Sequence, residues 1–208
     1  MRLSLLLLLF TAAMPASPVV FEFTGTVTQV DPLLTGSFAP EQLLTGSFRF
    51  ESTTADSSLN PETGVYFNAG NLFSVMVGAL SYSATAIDID ITNSATVDIY
   101  RVVGSNASGP GAGAFTIDSL VFALTDNAAA PVTALSSDGL PVTPPVLSGF
   151  NVRTFTLAFR NGNTGASVVA KVDSLRLAVP EPALAAPLAL VLVALLTRRR
   201  GQRVARGR

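Results

Sequence analysis

The chain has 208 residues, a formal net charge of −1, and no cysteine, histidine or tryptophan. Without histidine and cysteine it cannot form a Ser-His-Asp triad, a histidine-ligated zinc site or a thiol nucleophile. The composition therefore disfavours an enzyme, and we predict no catalytic residue, no metal site and no cofactor.

The chain begins with the pattern of a secretory signal peptide, predicted over residues 1–17. A positive charge at Arg2 precedes an apolar run over 3–10, and small residues follow. Cleavage is predicted after Ala13 or after Ala16. This pattern predicts a short signal helix, export through the secretion machinery and removal of the leader by signal peptidase.

Residues 18–179 are predicted to form one all-β domain. Phe21 and Phe23 alternate with polar residues, as do Phe48 and Phe50, which is the period of a half-buried strand. We predict an antiparallel β-sandwich or jelly roll of about 8–9 strands. Strands are predicted near 21–28, 44–51, 72–80, 82–91, 95–103, 114–125, 151–160 and 166–177, with a hairpin turn at 161–165 and a long exposed loop over 127–148.

Two similar segments, 115–122 and 170–177, both contain an Asp-Ser pair. The apolar face changes phase at Asp118-Ser119 and again at Asp173-Ser174. A three-residue step between inward positions is typical of a β-bulge, so we predict a bulge at each pair. The alternative is a calcium site shared by the two aspartates, although calcium needs six or more oxygen ligands.

Carboxylates also cluster in the middle of the domain. Asp88 and Asp90 alternate with three isoleucines, and Asp98 follows on the next predicted strand, where it could lie near them. A solvated strand face is the favoured interpretation. The alternative is a carboxylate pair of the kind that glycan-active enzymes use.

Carbohydrate binding is a further hypothesis, because sugars stack on aromatic rings. Only Tyr66, Tyr82 and Tyr100 combine a ring with a polar tip. Most phenylalanines fall at inward strand positions and are predicted to form the core.

The domain is acidic once its flanking segments are set aside. Residues 19–179 contain 13 acidic and 6 basic residues, a net charge of −7. Nucleic-acid phosphates require lysine and arginine partners, so no nucleic-acid partner is predicted.

The last 29 residues differ in composition from the domain. Pro180, Glu181 and Pro182 precede an apolar run over 183–196, and Arg198, Arg199 and Arg200 follow it. As a helix, the run would rise about 21 Å, against about 30 Å for a hydrocarbon core. Flanking arginines favour insertion of such a transmembrane-like helix, with its basic end in the cytoplasm.

This order of motif, apolar helix and arginine cluster over 180–208 resembles the PEP-CTERM sorting signal of exported bacterial proteins. The resemblance implies transient retention in the inner membrane and processing near Pro180-Glu181-Pro182 by an exosortase-type protease. It also implies a place at the cell surface or in an extracellular polysaccharide matrix. The alternative is an ordinary tail anchor.

The sequence thus predicts an exported structural or adhesive protein of the cell surface or extracellular matrix, sorted by an exosortase system. A carbohydrate- or calcium-binding module is the alternative, and a carboxylate-dependent glycan-active enzyme is less favoured.

Overall fold

Eight antiparallel strands form a closed barrel in the computed structural model of the chain, which describes residues 18–128 and 130–178. Each strand pairs with its neighbours in chain order, and the last strand pairs with the first. The strands are β1 (Val19–Val30), β2 (Leu43–Phe50), β3 (Thr63–Val77), β4 (Leu80–Asn93), β5 (Asp98–Ser108), β6 (Thr116–Asp126), β7 (Val152–Asn161) and β8 (Thr164–Leu177).

The predicted β-sandwich is therefore wrong, because one sheet closes on itself instead of two sheets packing face to face. Residues 21–26 of β1 pair with β2 on one side and with β8 on the other. Alternation of apolar and polar residues is the same in a sandwich and in a barrel, since both bury one face of each strand. The pattern along single strands could not show that β1 and β8 meet.

The helices predicted at the two ends of the chain fall on residues 1–17 and 183–196, which lie outside the described residues. Within residues 18–128 and 130–178, no helix is long and apolar enough to cross a membrane. The predicted transmembrane helix therefore has no counterpart in the part of the chain that the structure describes.

The barrel interior is filled by aromatic side chains. Phe23 on β1 lies at the centre of this cluster, and its ring centroid is 5.1–6.2 Å from those of four other phenylalanines. These partners come from β2, β3, β6 and β7, so the cluster joins opposite walls; they are Phe48, Phe73, Phe122 and Phe155. An eight-stranded barrel is just wide enough for side chains to fill, and here they do.

Both ends of the barrel are closed by loops. At one end, the connection between β1 and β2 buries Leu34 and Phe38, and the Phe38 ring lies 5.5 Å from that of Phe159. At the other end, residues 130–150 form a lid, in which Phe150 is buried and three half-buried leucines pack against the core. The long exposed loop predicted over 127–148 is present and most of its described residues are exposed, but Val132 is buried and its leucines are half-buried against the core.

Both predicted bulges are confirmed. Ile117 and Ser119 on β6 pair with consecutive residues of β7, which leaves Asp118 as the extra residue. Thr24 and Gly25 on β1 pair with Ser174 and Val172, which leaves Asp173 extra.

The predicted hairpin turn is confirmed as well, since β7 and β8 pair up to Asn161 and Thr164.

Gly25 allows the close approach of backbones at the seam between β1 and β8. A Cβ at this position would collide with the backbone carbonyl oxygen of Lys171. The seam is where the barrel closes, so a small residue here is a condition for closure.

We expect Gly25→Ala to lower the free energy of unfolding by about 1–3 kcal/mol, because rigid backbone must move to admit the methyl group. Urea unfolding would measure the change. Gly36→Ala is the matched control, since a Cβ there would meet nothing within 4 Å. Equal stability of the two variants would contradict the role assigned to Gly25.

Candidate functional site

The residues that the sequence assigns to sorting and processing lie outside the described residues. These are Ala13, Ala16, Pro180, Glu181, Pro182, Arg198, Arg199 and Arg200. The functional geometry of the described part comes from the barrel alone.

The carboxylates of β4 lie on the outer wall, as predicted. Asp90 forms an ion pair with Arg101 at 3.0 Å, and Asp88 accepts a 2.7 Å hydrogen bond from the backbone N–H of Asn68. Asp98 does not join them, because its side chain faces into the barrel and is fully buried. The structure therefore separates the third carboxylate of the proposed cluster from the other two.

The two bulge aspartates are also far apart. Ala158, beside the β6 bulge, pairs with Ser167, which is six residues before Asp173 on β8. That separation is roughly 20 Å along the strand at about 3.4 Å per residue. Asp118 pairs with Arg160 and Asp173 with Lys171, so each carboxylate has its own cation. Residues 18–128 and 130–178 contain no cluster of three or more acidic side chains that could hold a metal ion.

All three tyrosines are buried, so none presents a ring for sugar stacking. Tyr66, Tyr82 and Tyr100 expose 5%, 1% and 0% of their surface. The Tyr66 hydroxyl donates to the backbone carbonyl of Asp138 in the lid at 2.9 Å. The hydroxyls of Tyr82 and Tyr100 have no hydrogen-bond partner among the described residues.

Burial also changes the acidity of the tyrosines. Loss of hydration raises the pKa of Tyr82 to about 12 and raises the pKa of Tyr100 as well. Burial is the main cause that raises the pKa of Tyr66, and the negative charges of Asp56 and Asp138 add to it.

We expect the native protein to lose stability above pH 10. Because unfolded tyrosines deprotonate near 10 and the buried ones only at higher pH, stability is full below pH 10 and falls as pH rises through 12. Tyrosinate absorbance should then increase together with the loss of far-ultraviolet circular dichroism. Titration near pH 10 with the strand signal intact would show that the tyrosines are accessible to solvent.

Asp98 holds the lid to the barrel. Its Oδ2 accepts a 2.9 Å hydrogen bond from the backbone N–H of Leu135. The Asn93 amide, oriented with nitrogen toward the carboxylate, donates to Asp98 Oδ1 and accepts from the Ser137 N–H. A buried carboxylate with such donors fixes the position of the lid backbone.

We expect Asp98→Ala to lower the free energy of unfolding by about 1–3 kcal/mol, because the Leu135 N–H loses its acceptor. Amide hydrogen exchange should rise first within residues 130–140. Asp90→Ala is the control, since it removes only an exposed ion pair and should cost under about 1 kcal/mol. Unchanged exchange in the lid of Asp98→Ala would contradict this role.

Concave regions on the outer wall include two that are lined by described residues. The first, of about 390 Å³, includes Glu22 and Arg176, which form a 2.8 Å ion pair, and Ser47 and Ser74, whose hydroxyls are 3.0 Å apart. Its charged groups thus satisfy one another.

We call the second region the Arg49 groove, and its volume is about 310 Å³. It lies across β2, β3 and β4, and is lined by Arg49, Phe50, Glu51, Asn68, Ala69, Gly70, Asn71 and Thr85. The Nε atom of Arg49 is buried and has no hydrogen-bond partner among the described residues. A buried N–H donor without an acceptor costs free energy, so this atom marks an unsatisfied position on the wall.

Sequence reasoning missed the Arg49 groove, because the predicted third strand begins at Leu72, whereas β3 begins at Thr63. The break in alternation over 68–71, with two asparagines and a glycine, indicated an irregular strand. That signal could have located the groove.

Comparison with known proteins gives no further constraint, since no protein-family model, curated protein or solved structure matches the chain.

Proposed function

We propose that the chain is an exported structural or adhesive protein of the bacterial cell surface or extracellular matrix. Its signal-peptide pattern and the PEP-CTERM resemblance over 180–208 support export and sorting by an exosortase-type protease. The chain has no cysteine, so the acidic barrel gains no disulfide bonds outside the cell. Its stability there comes from packing and strand pairing.

The filled interior of the barrel carries this proposal. Phenylalanines from opposite walls meet at Phe23, and both ends are closed by Phe38 and the lid. Because side chains fill the space around Phe23, we expect contacts with other molecules to use the outer wall. This favours a scaffold or adhesive role over transport of an apolar ligand inside the barrel.

We expect the mature protein from its native envelope to lack both flanking segments. Intact mass should place the new N-terminus after Ala13 or Ala16 and the new C-terminus near Pro180-Glu181-Pro182. Changing Glu181→Ala together with both prolines to alanine should leave the C-terminal segment attached. A mature wild-type chain that still ends at Arg208 would overturn the sorting proposal and favour an ordinary anchor.

A carbohydrate-binding role is the second candidate, and one observation favours it. The Arg49 groove brings a guanidinium, two amides, a carboxylate and a hydroxyl into one concavity on the outer wall. Sugar hydroxyls and sugar carboxylates require donors and acceptors of these kinds.

A further inference from the structure

The Arg49 groove lies where the barrel wall is irregular. Pairing between β2 and β3 shifts between Arg49 and Phe50, and pairing between β3 and β4 shifts between Tyr66 and Gly70. Asn68, within the second shift, has a left-handed φ of 51°. Such irregularities redirect side chains and are over-represented beside functional sites.

The irregularity also brings backbones unusually close. A Cβ on Gly70 would collide with the carbonyl oxygen of Arg49, so only glycine fits here without displacement of a strand. The strand wall is thus drawn inward beside the Arg49 guanidinium, and the groove results.

Arg49 is the basic group of this groove, and it has no ionic partner among the described residues. Four other basic residues of the barrel are in ion pairs, namely Arg101, Arg160, Lys171 and Arg176. The Nε of Arg49 is shielded from solvent and donates to no protein group in the described part of the chain. A carboxylate in the groove would give the Arg49 charge an ionic partner, and guanidinium binds carboxylates through two parallel hydrogen bonds.

The remaining lining selects the type of anion. Glu51 places a carboxylate in the same groove, and the domain carries an excess of acidic residues. The Glu51 carboxylate and this acidic excess repel an anion in the groove. They weaken the binding of a dianion such as phosphate more than the binding of a single carboxylate, because like charges repel.

Neutral polar groups complete the groove. The side chains of Asn68, Asn71 and Thr85 form no hydrogen bond with other protein groups within residues 18–128 and 130–178. They are therefore free to bond ligand hydroxyls, which both donate and accept. Phe67, the neighbour of Asn68, exposes 58% of its surface and offers an apolar ring at this part of the wall.

We propose that the Arg49 groove binds an acidic sugar, with the sugar carboxylate on the Arg49 guanidinium and its hydroxyls on Asn71, Thr85 and Glu51. The proposal rests on the proposed function, since a matrix protein on the outside of the cell is in contact with such sugars. The groove volume of about 310 Å³ lies near the lower end of ligand-site volumes, about 300–1,000 Å³.

Titration of the purified mature protein with galacturonate, and with galactose as the uncharged probe, tests this proposal. Galacturonate should bind and shift the side-chain amide resonances of Asn68 and Asn71. Galactose should bind with a dissociation constant at least about tenfold higher. Arg49→Gln should remove that difference between the two sugars. Arg49→Lys should restore part of it, because it keeps the charge without the two-pronged geometry.

Arg176→Gln is the matched control, since Arg176 lies in the other concave region and pairs with Glu22. This variant should bind galacturonate as the wild-type protein does. Equal binding of both sugars to the wild-type protein, or loss of binding in Arg176→Gln with retention in Arg49→Gln, would overturn the proposal. Inorganic phosphate that competes as strongly as galacturonate would also overturn it, because the site would then be a simple anion site.

Failure of this proposal is distinguishable from failure of the proposed function. Sugar binding is measured on purified protein and is independent of where the chain is processed. Amide resonances in wild-type protein report on the groove even if Arg49→Gln is unstable. A processed, exported chain with no galacturonate response would refute the groove alone, and a binding chain that still ends at Arg208 would refute the sorting alone.

Discussion

Pairing between β1 and β8 closes the wall of this protein, and the buried aromatic cluster, the two closed ends and the groove all depend on it. At this seam the bulge at Asp173 shifts the register, and the missing side chain of Gly25 allows the two backbones to approach closely. With the wall closed, Phe23 on β1 contacts Phe122 and Phe155 on β6 and β7. An open sheet would leave these rings exposed to water, at a large cost in hydrophobic free energy.

Most strands and both bulges could be predicted because they are encoded in neighbouring residues, although residues 63–71 of β3 were missed. The change of phase at each Asp-Ser pair indicated a bulge, and each bulge is present. The isoleucines of β4 face inward and Asp88 and Asp90 face outward, as alternation indicates. Barrel closure could not be predicted in the same way, because it depends on a pairing between segments about 150 residues apart.

The candidate site was harder to predict than the fold for a related reason. Tyr66, Tyr82 and Tyr100 have the chemistry of sugar-binding residues, but they occupy inward-facing strand positions and are buried in the barrel. Arg49 carries no motif, and its importance comes from a register shift on β3 that brings Asn68 and Gly70 beside it. A side chain without a partner can be recognised only when the positions of its neighbours are known. Asp98 is a similar case, because its acceptor role depends on where the lid crosses the barrel.

The pairing of Phe21 with Leu177 has a mechanical consequence. The described part of β8 ends at Leu177, and residues 172–177 pair with β1 alone, whereas residues 164–171 pair with β7. Hydrogen bonds between antiparallel strands are perpendicular to the strands, so a pull on Leu177 along β8 first loads the β1 ladder in shear. Many bonds then resist together instead of opening one at a time. A pull at this end would thus be resisted by the seam between β1 and β8, the same pairing that closes the barrel.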